Sequence, residues 1–155
     1  MSIRLDFILP GKNNSFTVSI ENVAARTRFG IEKGLWRSGK DIQKTFNQQV
    51  LSKDKTGRLY IIRRGRVRRR HRASAPGQSP ANLSGLYRRS FGFSVDRSDQ
   101  LTVGVTAPYG EWLELGTKKK DGSVLMAARP GLLNAVESSE RDIIRNLSGG
   151  IQEEI

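Results

Sequence analysis

Three patterns in the sequence could do chemistry. Glu111 and Glu114 stand three residues apart, so on a helix they share a face. Two carboxylates flanking a cleft can work as general acid and base. Spacing alone makes no pocket, however, and Trp112 is the one aromatic platform beside them. Pairing with lysine or arginine, within the chain or across subunits, is the stronger expectation. The second pattern is Gly34-Leu-Trp-Arg-Ser-Gly39-Lys40, which fits the first seven positions of the phosphate-binding loop G-x-x-x-x-G-K-[ST]. The eighth is Asp41, a carboxylate that repels phosphate where a hydroxyl should meet magnesium. The match also lies in a helical pattern with no apolar strand before it, so nucleotide binding is rejected. The third pattern is Arg63, Arg64, Arg66, Arg68, Arg69, Arg70 and Arg72. Guanidinium groups that dense are poor core material; they suit phosphates, an acidic neighbour or solvent.

Other chemistries find no residues to carry them. There is no cysteine, hence no disulfide framework or thiolate site, and His71 is the only histidine. His71 has no nearby carboxylate in sequence to orient it, which makes a polar loop role the better reading than catalysis. No nucleophile elbow, triad set or metal-ligand cluster is present. The reading is therefore of a non-enzyme with no catalytic residues, no metal and no cofactor. The net charge of +12 points to an anionic partner. No secretory segment or transmembrane run is found, which predicts a soluble protein made in a cytoplasm with no membrane partner.

The elements that must hold these residues read as one α+β domain spanning residues 1–155. Ile3, Leu5, Phe7 and Leu9 alternate as a strand, closed by the turn-rich Pro10-Gly11-Lys12-Asn13-Asn14. Phe16 and Val18 suit either a second strand or the approach to a helix. A long helix is predicted over 19–52, capped by Ser19, with Ile20, Val23, Ala24, Thr27, Ile31, Leu35, Ile42, Phe46 and Val50 on its apolar stripe. At about 1.5 Å per residue it would run roughly 50 Å, so Gly30, Gly34 and Gly39 are expected to bend it. Residues 53–82 form the basic arm and its linker. There Leu59-Tyr60-Ile61-Ile62 has strand character, and Gly65 is placed to turn the chain toward Val67. Tyr60 is the arm's one aromatic residue, which argues against stacking on single-stranded bases.

Residues 83–128 should hold a hairpin, with one strand over Leu86–Val95 and its partner over Leu101–Thr106, turned at Asp96-Arg-Ser-Asp99. Ala107-Pro108 stops the ladder. A short helix follows with Tyr109, Trp112, Leu113 and Leu115 expected inward and Gly116 as its stop. Lys118–Gly122 reads as an exposed loop and Val124–Ala128 as a short strand. A last helix is predicted over Gly131–Leu147, striped by Leu132, Leu133, Val136, Ile143, Ile144 and Leu147 and ended by Gly149-Gly150. Glu153 and Glu154 make an acidic tail that frays or reaches a neighbour's arginines. Only 36% of residues are hydrophobic, so oligomer neighbours are expected to complete the burial. The architecture expected is a small antiparallel sheet packed against a long N-terminal helix and a C-terminal helix, with an extended basic β-arm.

Several short segments recur in a recognisable order: Thr56-Gly57-Arg58-Leu59-Tyr60, the arginine block, His71-Arg-Ala-Ser-Ala-Pro-Gly77-Gln-Ser-Pro80-Ala81, Ser84-Gly85-Leu86 with Ser90-Phe91, Ala107-Pro108-Tyr109 with Glu111, Glu114-Leu115-Gly116-Thr117, and Ala128-Arg129-Pro130. Together they resemble the neck and tail-completion (minor tail, head–tail joining) protein family of long-tailed bacteriophages, over about residues 56–147. Gly131 departs from that pattern, which has a bulky residue after the proline, and Leu115 stands where an aromatic is common. The resemblance implies a non-enzymatic virion protein of the tail or neck, assembled in the host cytoplasm. It implies a homo-oligomeric, often hexameric, ring between the head connector and the tail-terminator or tail-tube proteins, with DNA passing along its axis. It also implies structural roles for Gly77, Pro80, Gly85, Tyr109, Glu114, Gly116, Thr117, Arg129 and Pro130. Non-specific contact with double-stranded DNA is compatible with that placement. The rival reading is a free-standing basic DNA-binding protein.

Overall fold

The computed structural model describes residues 3–8, 14–20, 28–96 and 99–153. The elements in order are β1 (Ile3–Ile8), β2 (Asn14–Ile20), α1 (Arg28–Leu51), β3 (Leu59–Arg64), β4 (Val67–Arg72), α2 (Leu86–Arg89), β5 (Phe91–Asp96), β6 (Gln100–Val105), α3 (Gly110–Leu115), β7 (Thr117–Lys118), β8 (Val124–Met126), α4 (Leu132–Ser138) and α5 (Glu140–Gln152). The fold is α+β, as expected. Four strands form an antiparallel sheet in the order β1-β2-β6-β5, while β3-β4 and β7-β8 are separate two-stranded hairpins.

Period-two alternation places Leu101, Val103 and Val105 of β6 on the buried face. Opposite them, Phe91, Phe93 and Val95 of β5 pair with Val105, Val103 and Leu101 in register. Helix α1 lies against this face with Ile31, Leu35, Ile42, Phe46 and Val50 buried. Phe46 meets the rings of Phe91 and Tyr87 at centroid distances of 5.0 and 5.3 Å. Each such fully buried side chain contributes about 1.5–3 kcal/mol by leaving water. Leu132, Ala135 and Val136 of α4 and Ile143 and Leu147 of α5 complete one continuous core.

Several expectations are corrected. Ser19 and Ile20, expected in the long helix, belong with Phe16 and Val18 to β2, which pairs with both β1 and β6, and the described helix is Arg28–Leu51. Ser19 is therefore a strand residue and no helix cap; apolar residues at 16, 18 and 20 recur at the strand period of two. Leu9, the turn at 10–13, Val23, Ala24 and Thr27, together with Arg97, Ser98 and Glu154, lie outside the described residues. The segment Leu86–Arg89 is a helical turn and not strand, entered through Gly85 at φ 78°. The expected last helix is two helices, α4 and α5, meeting at the buried Ser139, and α5 continues through Gly149-Gly150 to Gln152. Ile144 is exposed rather than in the stripe. Glu153 reaches the same chain's Arg37, with two hydrogen bonds of 2.8 and 2.9 Å.

Helix α1 runs as one element through Gly30, Gly34 and Gly39. These glycines are points of close approach. A Cβ on Gly30 would sit 2.3 Å from the Gly150 carbonyl oxygen, and one on Gly34 would sit 2.7 Å from that of Asn146. A Cβ on Gly39 would enter the Phe93 ring at 2.4 Å. Helices α1 and α5 thus run antiparallel with their backbones in contact, and Asn146 Nδ2 donates to Asp41 at 2.8 Å along the same seam.

The seam predicts a sign reversal. In an open helix Gly→Ala stabilises by up to ~1 kcal/mol. Gly149→Ala, where nothing lies within 4 Å, should follow that rule. Gly30→Ala and Gly150→Ala should instead destabilise by about 1–3 kcal/mol through overpacking. Urea unfolding of the three variants checks this, and equal effects at all three positions would contradict the contact.

Candidate functional site

The arginine segment is a hairpin. Strands β3 and β4 pair in the register Leu59↔Arg72, Ile61↔Arg70 and Arg63↔Arg68, alternating with Tyr60↔His71, Ile62↔Arg69 and Arg64↔Val67. Gly65, at φ 60°, and Arg66 make the two-residue turn. A left-handed first turn residue matches the twist of paired strands, which is why glycine stands there. Register puts Arg63, Arg68, Arg70 and Arg72 on one face with Leu59 and Ile61. Arg64 and Arg69 lie on the other with Tyr60, Ile62, Val67 and His71. Arg66 is at the tip.

All seven arginines are exposed. Among the described residues none of them forms an ion pair; the described pairs are Arg37–Glu153 and Arg145–Asp142. Arg72 donates to the Gly57 carbonyl at 3.3 Å, and Arg63 lies directly across from Arg68. Facing like charges cost a few tenths of a kcal/mol to about 1 kcal/mol. The hairpin is therefore held by its ladder and its base, against the repulsion of its side chains.

The base is built by residues whose role the sequence reading missed. The ladder continues through Gly57 N–H to Ala73 O at 3.0 Å and Ala73 N–H to Arg58 O at 2.9 Å. The Gln78 side-chain oxygen accepts from Thr56 N–H at 3.1 Å and Ala75 N–H at 2.9 Å, while its amide donates to Asp54 O at 3.3 Å. Buried Lys55 donates to Gln49 O at 2.8 Å and Ser79 O at 2.7 Å, joining the end of α1 to the same loop. Burial, opposed by nearby Asp54, lowers the ammonium's pKa. These contacts are long-range and polar, so no periodicity announces them.

The motif residues are joints around this base. Gly77, at φ 78°, donates its N–H to Ala128 O at 2.9 Å, and Arg129 Nε donates to Ser74 O at 3.0 Å. Gly116, at φ 72°, ends α3 where a Cβ would meet Met126 O at 2.5 Å, and Thr117 opens β7 against Met126. Pro80 is buried and Pro130 half-buried, just ahead of Gly131. A Cβ on Gly131 would meet the Tyr87 hydroxyl at 2.6 Å and Pro80 Cδ at 2.8 Å, which accounts for glycine where the resemblance has a bulky residue.

Glu114 is the largest surprise of the site. Its carboxylate is buried and pairs with no cation among the described residues. Oε1 accepts from the Tyr87 hydroxyl, from Gly131 N–H at 2.9 Å and from Leu132 N–H at 2.8 Å, and Oε2 takes a long 3.4 Å contact from Leu133 N–H. It caps the start of α4 with an anion, satisfying donors that the helix leaves free. The inward side of α3 is thus Gly110 and Glu114, with Tyr109 and Leu113 half-buried. Trp112 and Leu115, expected inward, are 58% and 44% exposed. Glu111 is partly exposed, and the two carboxylates do not form an acid–base pair: Glu114's lone pairs are occupied structurally.

Between hairpin and body lies a cleft of about 470 Å³ whose lining includes Tyr60, His71, Asn82, Tyr109 and Arg129. No group of three or more metal-ligating side chains occurs among the described residues. The loop-like Gly34–Asp41 motif is inside α1, without the turn that cradles phosphate. No described helix is long and apolar enough to cross a membrane. Comparison of the chain with protein-family models, curated proteins and solved structures returned no match.

Burial, and then the Glu114 carboxylate, push the Tyr87 hydroxyl above the usual tyrosine range. Its folded-state pKa is raised, so its stabilisation is whole below the unfolded value of about 10 and is lost as pH rises beyond it. Unfolding followed from pH 8 to 11 should show stability falling above about pH 10, and Tyr87→Phe should flatten that slope. The same variant should cost about 1–2 kcal/mol at neutral pH, by removing one donor to a buried carboxylate.

Proposed function

We propose that the chain is a structural virion protein of a tailed bacteriophage. It forms a ring, built of six copies, at the head–tail neck or the top of the tail, and is needed for tail completion or head–tail joining. Connector and tail-terminator or tail-tube proteins are its neighbours, and DNA passes through the ring. In this reading it is not an enzyme.

One observation carries the proposal: seven exposed arginines stand on a hairpin that its own chain leaves unneutralised among the described residues. A side-chain set of that charge is useful only against something outside the subunit. Two further observations support it. Parts of the segments that resemble the neck and tail-completion family are joined at the base of the hairpin, Gly57 to Ala73, Gly77 to Ala128 and Arg129 to Ser74. Large apolar side chains also remain exposed away from the hairpin, with Trp112 at 58%, Val124 at 64% and Leu125 at 65%. Such surface is what ring neighbours cover.

The test replaces Arg66, Arg68, Arg69 and Arg70 together with serine. The subunit should keep its far-ultraviolet circular dichroism and its unfolding midpoint, because none of these side chains is buried. Electron micrographs of lysates should show heads and tails unjoined. Normal infectious particles from this variant would overturn the proposal.

A further inference from the structure

The hairpin carries its charge on both faces and at its tip, and this distinguishes among anionic partners. Arg63, Arg68, Arg70 and Arg72 are on one face, Arg64 and Arg69 on the other, and Arg66 at the turn. A flat acidic protein surface would meet one face and leave the other uncompensated. A second copy of this chain is a poor counter-surface, since each copy has 27 basic against 15 acidic residues. Single-stranded nucleic acid asks for stacking platforms. Tyr60 is the one aromatic of the ribbon, and it faces the cleft with Arg58 over its ring at 5.5 Å.

We propose that the β3–β4 hairpin lies lengthwise in the major groove of double-stranded DNA, without sequence preference, so that phosphates on both groove walls neutralise its two faces. The dimensions agree. Six residues per strand span about 20 Å at roughly 3.3 Å each. The major groove is about 12 Å wide and admits a two-stranded ribbon. Over 20 Å a duplex presents about a dozen phosphates, at one per ~1.7 Å. Guanidinium suits phosphate through paired N–H donors. The hairpin packs chiefly against itself and its arginines are exposed; the face with Arg64 and Arg69 looks across a cleft to Asn82 and Leu83. The inference rests on the reading of the hairpin as a surface for something outside the subunit, and adds what that something is.

The experiment uses the full chain and an AT-rich 24-base-pair duplex, with fluorescence anisotropy across a salt series. The wild type should bind duplex with a steep salt dependence and bind a single strand of the same length more weakly. Arg68→Ser/Arg70→Ser removes charge from one face and Arg64→Ser/Arg69→Ser from the other. Each pair should lower the slope of log K against log salt by about 2, and the two pairs should weaken binding alike. Netropsin filling the minor groove should leave binding intact. Loss confined to one pair, displacement by netropsin, preference for the single strand, or no salt-dependent duplex binding would each overturn the inference.

Failure here is separable from failure of the ring proposal. A four-serine variant that blocks head–tail joining, in a protein that ignores duplex, keeps the ring role and assigns the hairpin to a protein. Duplex binding as described, with normal joining by that variant, keeps the groove contact and removes the role in joining.

Discussion

The close approach of α1 to α5 sets the depth of everything else. Where Gly30 and Gly150 meet, each backbone carbonyl occupies the place of the other residue's missing side chain. Helices separated by ordinary side chains lie 8–10 Å apart; glycine at the crossing permits less. That spacing lets Leu35 and Leu147 share one core, and it carries Ile42, Phe46 and Val50 onto the inner face of β5 and β6. It also aims the end of α1 at the loop containing Ser79, where Lys55 ties the two together.

From that end the structure turns polar. Lys55, Gln78 and Arg129 use main-chain carbonyls and amides as partners, and Glu114 uses the free N–H groups of α4 together with Tyr87. A buried group leaves water at a cost that only a full set of hydrogen bonds offsets. These side chains therefore act as a jointed frame, and the segments they join are those that look soft in sequence: the Pro/Gly-rich linker, the end of α3 and the approach to α4. The hairpin stands on this frame and has little packing of its own. Its charge can then be spent outward, because its position does not depend on its tip.

The phage-neck reading and the groove-binding inference share this division between a rigid base and an uncompensated arm. The base explains why an arm with facing arginines stays ordered as a ribbon. The arm explains why a chain of +12 carries so little of its charge in ion pairs among the described residues. Neither requires a pocket with reactive groups, and Glu114, the carboxylate most suggestive of catalysis, is occupied in holding a helix.

Local chemistry was enough to read the α+β class, the apolar alternation of β6, the α1 stripe from Ile31 to Val50, the turn at Gly65, the stop at Gly116 and the solvation of the arginine arm. Each depends on neighbours within a few residues, where period, φ and charge density speak directly. Assignments that rest on distant partners needed the tertiary structure. Residues 16–19 are strand with β6, some 85 residues away, as one of their two partners, and Gly150 stays helical with Gly30 against it. Glu114 turned inward because the first turn of α4 supplies donors there, and Trp112 turned out because that inner side was already taken. A one-dimensional pattern can say that a side chain needs a partner, but only the packing of the chain on itself decides which partner comes within reach.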